Sequence, residues 1–297
     1  MSSKHAKTAL LAGSIVYFLI LMTQCKTKDD LERSYFQELV ENIHHTQTIS
    51  NEDSDLLAAL HLTHRLLAER QIIFQDQHFS SFQPYDGTLT GDILTAKGCC
   101  GSYAAVLCEL LQCMGYKARI AQMQVGSQPG GHIVTEAKTL KGWVVLDALY
   151  DQYFQTPEKQ LASFSEVADH WRYYQKQVNK EYNLTYNYAG VRYTNWDKLP
   201  ILLPLMKKAL VLVLGREKTE LFSLRPYFLR KFLIQYHLFM AMFCLLLIIL
   251  ALRLKLHLHS LNYLSLQRNA LLQLRWIRRL AQSRFEFKDT LGEAVDA

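Results

Sequence analysis

The chain has 297 residues, of which 49% are hydrophobic, with only 6 Pro and 13 Gly, so it is neither a repeat fibre nor a disordered segment and is long enough for one sizeable core with appendages. Its net charge of +6 is not a nucleic-acid footprint, because residues 26–231 hold 23 basic and 23 acidic side chains and the whole excess lies at the two ends.

Residues 8–25, TALLAGSIVYFLILMTQC, run for 18 residues without a charge, enough to span a bilayer as a helix. No small-x-small cleavage site follows, which favours an uncleaved anchor over a signal peptide, and Gln24 stands where a lipoprotein acylation box needs a small residue. Residues 30–45 and 55–73 have helical apolar spacing, the second with Leu56, Leu57, Leu60, Leu66 and Leu67 behind an acidic start. His61 and His64 lie one turn apart without a third ligand and read as exposed helix histidines. Pro84, Gly87 and Gly91 mark residues 75–97 as rich in turns.

Residues 100–114 are a strong helix candidate: Ala104, Leu107, Cys108 and Leu111 make one stripe, while Val106, Leu110 and Cys113 cover much of the other side. Such a helix is buried between layers, and Gly115 ends it. Strands are expected at 117–124, 132–137 and 143–148, the last two flanking a short turn at 138–142. The fold class is therefore α+β, a central helix on an antiparallel sheet behind a helical N-terminal preface.

Beyond it, residues 157–182 read as helix and 182–196 as a Tyr- and Asn-rich loop. Residues 199–214 carry Lys207 and Lys208 inside an apolar run, which suits an interfacial or core helix better than a third span. Residues 233–252, LIQYHLFMAMFCLLLIILAL, are the second span. The chain is thus expected to divide into an anchor at 1–28, a central domain at 29–198, a juxtamembrane helical segment at 199–231, a transmembrane helix at 232–253 and a basic tail at 254–297.

Lys4 and Lys7 precede the first span, and Arg253, Lys255, Arg268, Arg275, Arg278, Arg279 and Arg284 follow the second, which places both termini in the cytoplasm and the central domain, in a bacterium, in the periplasm. Leu256, Leu258, Leu261, Leu264 and Leu266 among basic residues fit a tail lying on the membrane surface or packing on a partner. Cys99, Cys100, Cys108 and Cys113 have the spacing of neither a disulfide framework nor a zinc site.

The chemistry gathers around Cys100. A thiol is a strong nucleophile only as thiolate, and a helix start together with a neighbouring imidazolium favours that state; Cys100 opens the central helix. A hairpin centred between Thr139 and Leu140 sets His132 directly opposite Asp147, and Glu136 opposite Trp143, with facing Cβ atoms about 5 Å apart. A carboxylate so placed fixes the histidine tautomer and stabilises the imidazolium.

These blocks resemble the catalytic core of the transglutaminase-like superfamily, a papain-like fold. The resemblance rests on Gly98, Cys100 and Ala104 at the helix start, Gly115, Ala118 and Arg119 at its end, GGHIVTEA around His132 and GWVVLDALY around Asp147, and covers about residues 91–154. It implies a Cys100, His132, Asp147 triad. Val134 stands where an aromatic residue usually follows the histidine and Ala148 where a proline usually follows the aspartate, departures that touch the cleft and no catalytic atom. The family's upstream oxyanion residue would be Tyr85 or Gln83.

The expected activity is acyl transfer from an amide or peptide bond of a peptide or protein substrate, by hydrolysis rather than transamidation. The rival is an idle domain that grips a peptide and docks a partner membrane protein. No calcium loop, phosphate loop or metal cluster is present, so no cofactor and no metal are expected, and the partners are substrate and bilayer, not nucleic acid.

Overall fold

The computed structural model describes residues 3–46, 51–74, 87–126 and 131–293. The chain falls into two compact units, one made of Met1–Met22 with His237–Ala297 and the other of Thr23–Tyr236.

The first unit is helical. It contains the start of α1 (Ser3–Thr46) and most of α9 (Lys231–Glu293). Two stretches, Ala9–Thr46 and Lys231–Leu256, are long and apolar enough to cross a membrane. The second has 26 residues, about 39 Å at 1.5 Å per residue, against a hydrocarbon core of about 30 Å. Within this unit Phe18 and Phe239 approach to 5.9 Å between ring centroids.

The second unit is a mixed α and antiparallel β domain. After the rest of α1 come α2 (Glu52–Phe74), the short α3 (Leu89–Thr95) and α4 (Cys100–Cys113). Strands β1 (Lys117–Met123), β2 (Ile133–Thr139), β3 (Gly142–Asp147), β4 (Gln152–Tyr153) and β5 (Val191–Arg192) make one antiparallel sheet in the order β4-β3-β2-β1-β5. Short helices α5 (Phe164–Asp169) and α6 (Trp171–Tyr174) lie between β4 and β5. Helices α7 (Leu202–Leu214) and α8 (Arg216–Glu220) and a 3-10 turn at Arg225–Phe228 precede α9.

Helix α4 is the keel of this domain. Ten consecutive residues, Ser102 to Leu111, are buried, because α2 and α3 pack on one side of the helix and β1 and β2 on the other. Leu56, Leu60 and Leu67 of α2 meet Leu107, Leu110 and Leu111 in this core, and Ala118, Ile120, Ala137, Val144 and Leu146 supply it from the sheet. The opposite face of the sheet carries a second, aromatic core of Phe154, Phe164, Tyr174, Tyr182 and Tyr188 around Val134 and Val145. Thr135 Oγ1 donates to the Ala104 carbonyl at 3.1 Å and ties the sheet to the helix.

Several expectations change. The hairpin pairs Thr139 with Gly142 and Glu136 with Val145, so its loop is the two residues Leu140 and Lys141. The centre is displaced by one residue from the sequence reading and the register by two, and Gly142, at φ 144°, admits the tighter turn. A shift of two keeps every side chain on its expected face. The helix expected over 157–182 is broken into α5 and α6: a capping box of Ser163 and Glu166 starts the first, and Gln177 leaves helical geometry to bond the backbone of Gln155. The turn-rich stretch contains α3. His61 and His64 are half-buried, bonding Asp151 Oδ1 at 2.7 Å and the Ala148 carbonyl at 3.1 Å, so α2 clamps the chain leaving β3.

Candidate active site

Cys100 is the first residue of α4, and its setting is built by the residues before it. A Cβ at Gly98 would stand 2.6 Å from Ser102 Oγ, so only glycine lets the loop close against the helix. Ser102 Oγ accepts from the Gly98 N-H at 2.9 Å and donates to Asp92 Oδ1 at 2.6 Å, which anchors the loop to α3. Cys99 takes a strained conformation, φ 47° and ψ −128°, to turn the chain into the helix.

His132 stands just before β2 and Asp147 ends β3. A Cβ at Gly131 would meet the Met123 carbonyl oxygen at 2.7 Å, so the approach to His132 also requires glycine. The observed register makes the histidine and aspartate diagonal neighbours rather than directly opposed, and their side chains close the gap: Nε2 to Oδ2 is 2.6 Å. Both are deeply buried, at 2% and 1% exposure. With Nε2 engaged, Nδ1, which has no other hydrogen-bond partner among the described residues, is the nitrogen left for the Cys100 thiol.

The electrostatics follow from that triangle. Burial pushes the Cys100 thiol up, but the hydrogen bond and charge of His132, with help from the Ile133 backbone N-H, outweigh it and the thiol lies below its ordinary value. Burial alone would lower His132; the charge and hydrogen bond of Asp147, then those of Cys100, raise it instead to about 9. Burial raises the other inner thiols, Cys99, Cys108 and Cys113. All described cysteines are free.

An aromatic cage covers the imidazole. The Tyr186 ring stacks on His132 at 4.4 Å between centroids with 1° between planes, and Tyr150 meets it edge-on at 5.7 Å. Burial first, and the Asp147 charge next, push the Tyr182 phenol up, so a protonated hydroxyl faces that carboxylate. On the other side of Cys100, Gln71 Nε2 donates to Cys99 Sγ at 3.0 Å, held by the Tyr103 hydroxyl on Gln71 Oε1 at 2.9 Å, and the Cys100 backbone N-H points at the same sulfur.

The structure thus brings Cys100, His132 and Asp147 together. Tyr85 and Gln83 lie outside the described residues. Gln71, Tyr150, Tyr182, Tyr186 and Arg225 were not singled out in the sequence: the tyrosines come from turns without periodicity, Gln71 sits among helix residues of ordinary spacing, and Arg225 follows β5 by more than thirty residues.

A family model described as the transglutaminase-like superfamily matches residues 27–148, a stretch that holds Cys100 and His132 and closes just past Asp147. No curated protein and no solved structure matches the chain.

Proposed function

We propose, from the match of residues 27–148 to the transglutaminase-like superfamily, that this protein is a membrane-anchored thiol enzyme that cleaves an amide or peptide bond by acyl transfer. The carrying observation is the 2.6 Å bond between buried His132 and Asp147 beside a thiol whose pKa is lowered. In this reading Cys100 Sγ attacks the carbonyl carbon, the C-N bond breaks, and the His132 imidazolium gives its proton to the departing amine. A thioester remains. His132 then takes a proton from water as its oxygen attacks, and the acid leaves with the thiol restored.

Asp147 holds the imidazole in the tautomer that presents Nδ1 to sulfur and stabilises the imidazolium. The Cys100 N-H and the Gln71 amide, which both point at Cys99 Sγ next to the nucleophile, are assigned to the oxyanion. Hydrolysis is preferred over transamidation because water needs no second binding site. The substrate class is a peptide or protein. The two long apolar helices support anchoring in a membrane, and in this reading the basic residues at the two ends put the domain on the periplasmic side of a bacterial inner membrane.

Thiol labelling of the full-length chain in detergent tests the reading. Iodoacetamide near neutral pH should modify one residue rapidly; Cys100→Ala should abolish that label, Cys99→Ser should leave it, and His132→Ala should slow it roughly tenfold or more. Labelling of all three variants at the wild-type rate would leave the idle peptide-gripping module as the better account.

A further inference from the structure

Next to Cys100 lies a cavity of ≈560 Å³ that the triad does not use. Its apolar wall includes Ile120, Leu224 and Phe228, and its charged groups are Arg192, Lys198 and Arg225; no Asp or Glu among the described residues lines it. The neighbouring cavity of ≈370 Å³ differs, because there the carboxylates of Asp197 and Glu220 stand among the lysines, and Lys207 is paired with Glu220 at 2.8 Å. Arg119, the other arginine nearby, is spent on structure: it pairs with Glu136 at 2.8 Å and stacks over Trp143 and Tyr193.

Two connections tie the cationic cavity to the thiol. The Arg225 guanidinium lies 4.0 Å from the Cβ position of Gly101, the residue after Cys100, and makes no hydrogen bond or ion pair among the described residues. Ile133, whose N-H points at Cys100 Sγ, is paired across the sheet with Gln122, and Gln122 Oε1 accepts from Arg192 Nη2 at 2.7 Å. That bond aims Arg192 and, among the described residues, leaves most of its five N-H donors unspent.

We propose that this cavity is a carboxylate-binding subsite, in which Arg225 and Arg192, with Lys198, select an acidic residue of the substrate next to the amide that Cys100 attacks. A guanidinium offers a planar fork that a carboxylate matches with two bonds, and the apolar wall suits the methylenes of a glutamyl side chain. Asp92 and Cys100 offset part of the Arg225 charge from outside the cavity, but the three cations that line it still outnumber the described carboxylates on its wall, so an acidic ligand gains an attraction that a neutral one does not.

The proposal rests on Cys100 being the nucleophile, and the test separates the two. The full-length chain in detergent is alkylated with N-iodoacetyl-glutamate α-amide and, in parallel, with N-iodoacetyl-glutamine α-amide, reagents that differ only in one carboxylate. In each case the Cys100 thiolate displaces iodide and forms the C-S bond. The acidic reagent should react faster by roughly tenfold, with a rate that saturates. Arg225→Gln should bring the ratio near one, Lys198→Gln should lower it in part, and Arg225→Lys should restore only some of it, since a lysine offers charge without the fork. Raising salt should shrink the preference. A ratio near one in the wild type, or one that Arg225→Gln and Lys198→Gln both leave intact, overturns the subsite even when labelling is fast. Slow labelling by both reagents, indifferent to His132→Ala, overturns the nucleophile instead.

Discussion

At the scale of single residues, two adjacent thiols differ because one of them meets an imidazole. Cys100 faces His132 and is acidified; Cys99, one position earlier, is raised by burial and by the charge of its neighbour. The ion pair of thiolate and imidazolium exists between the lowered Cys100 pKa and the His132 value of about 9. Activity should therefore rise on an acid limb below the ordinary thiol value and fall above about 9 as the imidazolium loses its proton, whereas labelling, which needs only the thiolate, should rise on the same acid limb and not fall above 9. The sign for stability agrees: with its pKa raised above 6.5 in the folded chain, His132 lends stability that is full below pH 6.5 and is lost as pH rises through about 9. Asp147→Asn removes the largest influence that raises it and leaves burial opposed only by Cys100, so the alkaline limb should move to lower pH, with turnover at pH 7.5 falling roughly 100-fold or more. Melting temperature should change by no more than about 5 °C. Parallel loss of stability and turnover would make Asp147 a structural residue.

At the scale of elements, what could be read early was what has a period. The all-round apolar pattern of α4 announced a buried helix, and two runs flanking a short turn announced β2 and β3, whose paired side chains share the expected faces because a face is a property of parity. Register is not: it was fixed by whether Leu140 and Lys141 alone could close the turn, and Gly142 decided that locally. The stretch after β4 misled for a related reason. Its aromatic residues have helical spacing in places, but they serve the second core and the cage over His132, which are tertiary demands without periodicity. Gln71 and Arg225 were invisible in sequence because only the fold carries them to the start of α4. The stacking of Tyr186 gives this level its own prediction. Tyr186→Phe keeps the ring and should hold kcat/KM within about twofold, whereas Tyr186→Ala forfeits a stacked pair worth about 0.5–1.5 kcal/mol and opens His132 to water, for a loss of roughly 2- to 10-fold or more. The acid limb should also move towards higher pH in the alanine variant. A full loss in Tyr186→Phe would assign the hydroxyl, not the ring, to the function.

At the scale of the whole molecule, charge separates what the apolar pattern joins. The middle of the chain is neutral overall, and within it the buried Asp29 takes two bonds from Arg230, at 3.1 and 2.6 Å, across 201 positions of sequence. Two helices have the length and apolar character to cross a bilayer, and the basic excess lies outside them, before the first and after the second. Flanking Lys and Arg orient a span because moving them across the membrane is costly, and the bias after Leu252 is the stronger one, with eight basic against four acidic residues. Opposing it are Lys26 and Lys28 after the first span and Arg230 and Lys231 before the second, of which Arg230 is partly neutralised by Asp29 and Lys26 pairs with Asp30 at 2.6 Å. That pairing weakens the counter-signal, so the ends should remain in the cytoplasm and Cys100 should face the other side. Alkaline phosphatase fused at Ala297 should be inactive and fused at Asp197 active, because the reporter folds only in an oxidising compartment. A fluorescent protein that matures only in the cytoplasm should give the reverse pattern. An active phosphatase at Ala297 would refute the two-span topology and with it the placement of the thiol site outside the cytoplasm.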